Sequence, residues 1–289
     1  MSTRSTWAMR PRWRSQSRIA PHDTLVVMKR FVVHSILLAA ALLVPFHTLD
    51  ARASIPPEPS PLRLADDSQS DAGLFHLIGP EVPTDADHVR YRNADKSIQV
   101  GLVPHEPGPL DLWLRAPAPF GSTITLVVEA MSGDDTVVKS LGRITLLTGN
   151  RLLPLPADSG SGRRMVIDIT AQQVWLVESS GRVASTFLMS GRRRPTESGY
   201  ELRGRFRVYS KSERLWTPEG ASGRFMVRYQ RTVSSVGTHG IPSVRNQLVQ
   251  SIDDLGWPLS DGCARLAFND AKRVYGWAGV GTVVVVVGR

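Results

Sequence analysis

The sequence of 289 residues has one cysteine, Cys263, so no disulfide can form within the chain. Long apolar runs are also scarce. The one near the N-terminus, FVVHSILLAAALLVPF at 31–46, matches the core of an export signal and falls short of the roughly 20 residues that span a bilayer. With no second apolar run after it, the chain is expected to have no stable membrane anchor once the signal is cleaved, and no cysteine beside the cleavage site could take a lipid. Histidine is sparse where it matters most: beyond residue 163 there is only His239. Arginines in that region are spread through strand-like runs and not interleaved with aromatics, which argues against nucleic acid as a partner. No cofactor and no metal site is read from the sequence.

What is present begins with an export pattern. From Met28 the chain reads Lys29 and Arg30, then the apolar run, then Ala51–Ala53 before Ser54, an A-x-A cleavage pattern. Residues 1–53 are therefore an export-signal region with the signal peptide at 28–53, and the mature protein is expected in the periplasm or cell envelope. Residues 54–72, rich in Pro, Ser and Asp, read as a linker. From 73 to 160, short alternating runs such as LDLWLRA and STITLVVEA, set off by Pro, Gly and Asp, predict a small β-sandwich-like domain. From 163 to 289 further strands follow (RRMVIDIT, QQVWLVES, GTVVVVVG) with one short helix, capped by Asn269 and running to about Trp277. The fold class is mostly β.

Formal charge divides along the same boundary, at +6 for 1–53, −6 for 54–162 and +9 for 163–289. The basic C-terminal part suits an anionic polymer of the cell envelope, or is simply a solvated face.

An unpaired thiol in an oxidising compartment is open to oxidation. Cys263 is either a small buried hydrophobe or a nucleophile, and a nucleophile needs a base or a positive potential nearby. His239 in THGIP is the candidate base. Gly240 beside it and Gly262 beside the thiol would let backbone approach a substrate, and amides near Gly262 and Cys263 would serve an oxyanion. Arg265 could hold a carboxylate.

THGIP, then SDGCARL, then a short helix leading to GTVVVVVG resemble the catalytic domain of YkuD-type L,D-transpeptidases over 163–289. The resemblance implies a cysteine-dependent L,D-transpeptidase acting on peptidoglycan stem peptides, both donor and acceptor. Cys263 would be acylated and His239 its base, with Gly262 and Cys263 at the oxyanion and Ser260 and Arg265 supporting or reading the substrate. The product would be a 3-3 cross-link or an amine acceptor attached to the wall. Alternatives are an L,D-carboxypeptidase on the same stems, a non-catalytic wall-binding scaffold and, third, a sortase-like transpeptidase. Two departures from the family pattern stand out. Asp261 occupies the place of a second histidine, where its charge would oppose thiolate formation. The spacer from Gly240 to Leu259 is also longer than usual, which would enlarge a loop over the cleft, with Trp257 as a wall or lid residue or, equally, a core aromatic. The acceptor and the oligomeric state are left open.

Overall fold

A computed structural model describes residues 61–95, 100–119, 121–133, 136–192, 203–216, 220–231 and 235–288. Residues 1–53, read above as an export-signal region, lie outside the described residues. Pro56–Arg289 form one compact unit, and the described residues are mostly strand with a single α-helix.

Seven strands build a sandwich: β1 (Arg63–Leu64), β2 (Leu74–Val82), β3 (His88–Asn93), β4 (Val100–Pro104), β5 (Gly108–Arg115), β6 (Ser122–Met131) and β7 (Val137–Thr148). They form one sheet ordered β1-β2-β5 and another ordered β4-β3-β6-β7. The alternation in LDLWLR explains the layering. Leu110, Leu112 and Leu114 point inward and are buried together with Val89, Tyr91, Leu126 and Val128 of the other sheet. The segment read as a linker joins this structure at its C-terminal end: β1 pairs with β2, and the apolar side chains of Leu62 and Leu64 pack on the core.

The rest of the chain contains β8 (Arg164–Asp168), β9 (Gln173–Val177), β10 (Val183–Leu188), β11 (Gly204–Arg207), β12 (Ser210–Trp216), β13 (Ser222–Gln230), β14 (Val236–Gly240), β15 (Ser243–Val244), β16 (Gln247–Leu248), β17 (Ala264–Leu266), α1 (Phe268–Trp277) and β18 (Val283–Val287). One sheet runs β10-β9-β8-β18-β11 and a second β16-β15-β13-β14-β17, with β12 on β13. The all-valine β18 lies parallel to β8, and both are nearly all buried, which is why neither alternates. Helix α1 buries Ala271 and Val274 in the core shared with Val227, Leu266 and Val284. Its N-cap is Ala267, with no side-chain cap, so Asn269 lies inside the first turn and does not cap the helix as expected. Burial of the apolar face holds this helix in place of capping.

The two β-rich parts are joined by a buried arginine. Arg115, at the end of β5, is fully buried. Its Nη1 donates to Ala171 O at 2.6 Å and Gln173 Oε1 at 2.9 Å, and Nη2 donates to Arg151 O at 2.9 Å. Burial pulls its pKa down to about 10, partly offset by the nearby Asp168 carboxylate. Removing the guanidinium would take the donor from Ala171 O and Arg151 O, while Gln173 Oε1 would keep the Leu153 amide. Arg115→Met is therefore expected to cost about 3 kcal/mol in urea unfolding, and a loss under about 0.5 kcal/mol would show that the contacts carry no net stability.

Candidate active site

The site forms where two strands distant in sequence run side by side. β14 and β17 are parallel, with Thr238 opposite Ala264, His239 opposite Arg265 and Gly240 opposite Leu266. Ala264 and Leu266 face the apolar core, as does Thr238, which is wholly buried. With side chains alternating along a strand, His239 and Arg265 lie on the opposite face. Cys263, one residue before β17, joins that face one step earlier in the register. Gly237 of β14 pairs with Arg228 of β13, which adds a second guanidinium to the same surface. A Cβ on Gly237 would lie 2.3 Å from Val227 O, so only glycine allows this close strand packing.

His239 is 4% exposed. Its Nδ1 lies 2.7 Å from Gly240 O, and because a carbonyl only accepts, Nδ1 carries the proton and Nε2 keeps its lone pair. Burial lowers its pKa to about 4, against the opposing effect of the Gly240 hydrogen bond and with help from Arg265 and Arg228. The imidazole is thus neutral at pH 7. Cys263 is half-buried, and its thiol donates to Ser235 O at 3.9 Å. Desolvation raises the thiol pKa. The Gly237 backbone and the charges of Arg265 and Arg228 oppose that rise, and Asp261 adds to it least of all. The resting pair is a neutral thiol and a neutral imidazole.

Ser260 and Gly262 shape the turn that presents the thiol. The buried Ser260 donates from its Oγ to Cys263 O at 2.5 Å and accepts there from Gly262 N at 3.2 Å, while its own amide donates to Gly191 O at 2.8 Å. The Gly262 amide is thus engaged in the turn and not offered to an oxyanion. Gly240 contributes its carbonyl, since a Cβ there would meet only ordinary contacts. Arg265 is tied to the preceding loop: Nη1 donates to Gln250 Oε1 at 3.1 Å and Leu259 O at 3.0 Å. Gln250 in turn donates to Ser190 Oγ at 2.8 Å. Trp257 is not a cleft wall; it is 1% exposed within the sandwich core.

Asp261 turns outward. Its side chain is 74% exposed and lies 3.9 Å from Arg265 Nη2, so solvent and that guanidinium screen it from the sulfur. Asp261→Asn is therefore expected to change the rate of iodoacetamide alkylation of Cys263 by less than about twofold between about pH 6 and 9. A rise of about fivefold would restore Asp261 as a brake on the thiol.

Next to His239 the sheet opens into a cavity of about 370 Å3 lined by Arg214, Trp216, Gly223, Arg224, Gly240 and Phe268, among others. A Cβ placed on Gly223, one of its lining residues, would sit 3.7 Å from His239 Nδ1, while His239 itself does not line the cavity. Arg228, Gly237, Gln250 and Ser190 were not found from the sequence. Arg228 is one of many basic residues in strand-like runs, and only the register of β13 on β14 brings it to the thiol.

A family model described as the L,D-transpeptidase catalytic domain, YkuD, matches residues 162–286. No curated protein matches the chain significantly. Among solved structures, an L,D-transpeptidase from Stackebrandtia nassauensis is 19% identical, with 45% of this chain and 57% of that one covered and a TM-score of 0.35. The chain thus spans little more than half of that protein's length. An L,D-transpeptidase from Mycobacterium smegmatis is 20% identical over 79% of this chain and 100% of that one, with a TM-score of 0.35. L,D-transpeptidase 3 from Mycobacterium tuberculosis, solved with a faropenem-derived adduct, is 14% identical over 78% and 97%, with a TM-score of 0.34. The part of the chain that holds both His239 and Cys263, residues 162–286, is thus similar to the L,D-transpeptidase catalytic domain of the YkuD family.

Proposed function

We propose that the protein is an exported L,D-transpeptidase of the periplasm or cell envelope, which links peptidoglycan stem peptides through a thioester on Cys263. The observation that carries this reading is the shared face of β14 and β17, with Cys263 and His239 on it and Nδ1 of His239 fixed to Gly240 O. The fixed tautomer leaves Nε2 as the only basic nitrogen of the ring, and no other imidazole lies in this part of the chain.

The reaction follows from the neutral resting pair. As the sulfur attacks the carbonyl of the third, L-centred residue of a stem, its proton passes to His239 Nε2. An S–C bond forms and the carbonyl oxygen becomes an oxyanion, stabilised by the positive potential of Arg265 and Arg228. Collapse breaks the C–N bond to the terminal D-alanine, whose amine takes the proton from the imidazolium, and a thioester remains. An amine of a second stem attacks the thioester, gives its proton to Nε2 and receives the acyl group, while the thiolate recovers a proton. The excess positive charge of residues 163–289 suits the carboxylates of such stems.

Incubation with purified tetrapeptide muropeptides, followed by intact-mass analysis, tests the reading. The expected result is one acyl adduct on the peptide containing Cys263, release of D-alanine, and dimers when acceptor is present. Hydrolysed tripeptide alone would identify a carboxypeptidase. Absence of any adduct on a thiol that iodoacetamide still alkylates would identify a wall-binding scaffold.

A further inference from the structure

The loop that delivers Cys263 is gripped from outside the catalytic domain. Trp257 and Leu259 belong to the apolar core of the sandwich. The indole ring lies 6.2 Å from the ring of Tyr91, and its Nε1 donates to Pro117 O at 3.3 Å. Gly256 has φ 101°, and a Cβ there would lie 2.2 Å from Pro117 Cγ, so the backbone is pressed against the sandwich where only glycine fits. The same segment is bound to the site. Leu259 O accepts from Arg265, and Ser260, next in sequence, holds both Gly191 O and Cys263 O.

Only Ser260, Asp261 and Gly262 separate this anchor from the thiol. Three residues span at most about 10 Å when extended, and here they are folded into a hydrogen-bonded turn. A shift of Trp257 in the sandwich therefore has no slack in which to dissipate before it reaches Cys263. We propose that Trp257 and Leu259 are positioning residues for Cys263: the sandwich core that receives them sets the place and the burial of the thiol, and the sandwich is part of the catalytic unit. The inference rests on the reading of Cys263 as the acylated nucleophile. A core role without positioning would also bury Trp257, but it would not link that residue to the reactivity of a sulfur beyond the turn.

The test compares Trp257→Ala, Trp257→Phe and Gly256→Ala in the full chain, each with two readouts. One is the second-order rate of Cys263 acylation by a carbapenem, read by intact mass. The other is the pH titration of Cys263 alkylation by iodoacetamide. Trp257→Phe is expected to stay within about threefold of wild type in both. Trp257→Ala and Gly256→Ala are expected to slow acylation by about 30- to 100-fold, the scale of an ångström-sized misplacement. Their thiol should also titrate at lower pH, because a loosened turn admits water to the sulfur. If Trp257→Ala does not fold, Gly256→Ala decides the matter, since it displaces the loop while keeping the indole. Acylation within about threefold of wild type and an unchanged titration, in a variant that has lost stability, would reduce Trp257 to a core residue. A wild type that is never acylated, together with shifted titrations in the variants, would remove the acyl-transfer reading and leave the positioning role standing.

Discussion

Cys263→Ala is expected to abolish acyl transfer, by at least about 10,000-fold, while the protein stays folded. The chain has no other thiol, so nothing can replace the sulfur in the covalent step. The nearest hydroxyl in sequence, Ser260 Oγ, is committed to Cys263 O and the Gly262 amide, and is held to shape the turn. The fold has little to lose. The thiol is half-buried and its hydrogen bond to Ser235 O, at 3.9 Å, is long, so truncation to alanine is expected to cost no more than about 1 kcal/mol. Cys263→Ser keeps the volume and the donor but substitutes an alcohol, far harder to deprotonate than a thiol that burial has already raised. It should be nearly as inactive. The measurement pairs D-alanine release from muropeptides with a urea unfolding curve. Turnover by the alanine variant at the wild-type rate would end the covalent mechanism, and loss of the cooperative unfolding transition would make Cys263 a structural residue.

The choice of this thiol and His239 as candidates, which the β14–β17 register sets on one face, was legible because both residue types are rare. One cysteine in the chain and one histidine after residue 163 leave few combinations, although Gly240 beside the histidine ends a strand and only Gly262 lies in a turn. The mostly β fold was legible for a similar reason. Strict alternation in Leu110, Leu112 and Leu114 permits only a strand with one face in a core. What local pattern does not carry is which distant surface a side chain meets. Trp257 stands in a turn-like stretch and gave no sign that its partner is Pro117 of the sandwich, a contact across 140 residues of sequence. Arg115 closes an alternating strand and looks solvated until the tertiary packing surrounds it with Ala171 O of the other β-rich part and Arg151 O of the segment between them. Asp261 was placed near the sulfur by its sequence distance, yet the turn through Ser260 and Gly262 rotates its carboxylate outward. Each case depends on register or on the path of a turn, which are long-range consequences of burial.

His239→Gln is expected to lower kcat/KM by about 100- to 10,000-fold and to change the shape of its pH dependence. Glutamine fills much of the same volume and can still donate to Gly240 O, so β14 should keep its geometry and lose only the base. In the wild type the imidazole pKa sits near 4 because it is buried and faces Arg265 and Arg228. The acid limb of kcat/KM should therefore fall near pH 4, well below the ordinary histidine value of about 6.5. The alkaline limb should lie above the ordinary cysteine range, since burial raises the thiol. The outcome is a broad plateau across neutral pH, and the acid limb should vanish in the glutamine variant. The same pKa sets a stability trend. The unfolded chain takes up a proton on this histidine below about pH 6.5, whereas the folded chain resists protonation until about pH 4. Its contribution is present in full above about 6.5, declines as pH falls towards 4, and amounts to at most about 3 kcal/mol. Urea midpoints of the wild type should therefore drop between about pH 6.5 and 4 by more than those of His239→Gln. An acid limb near 6.5 in the wild type would mean that the imidazole is solvated during turnover. Identical acid sensitivity of the two proteins would mean that other groups govern acid unfolding.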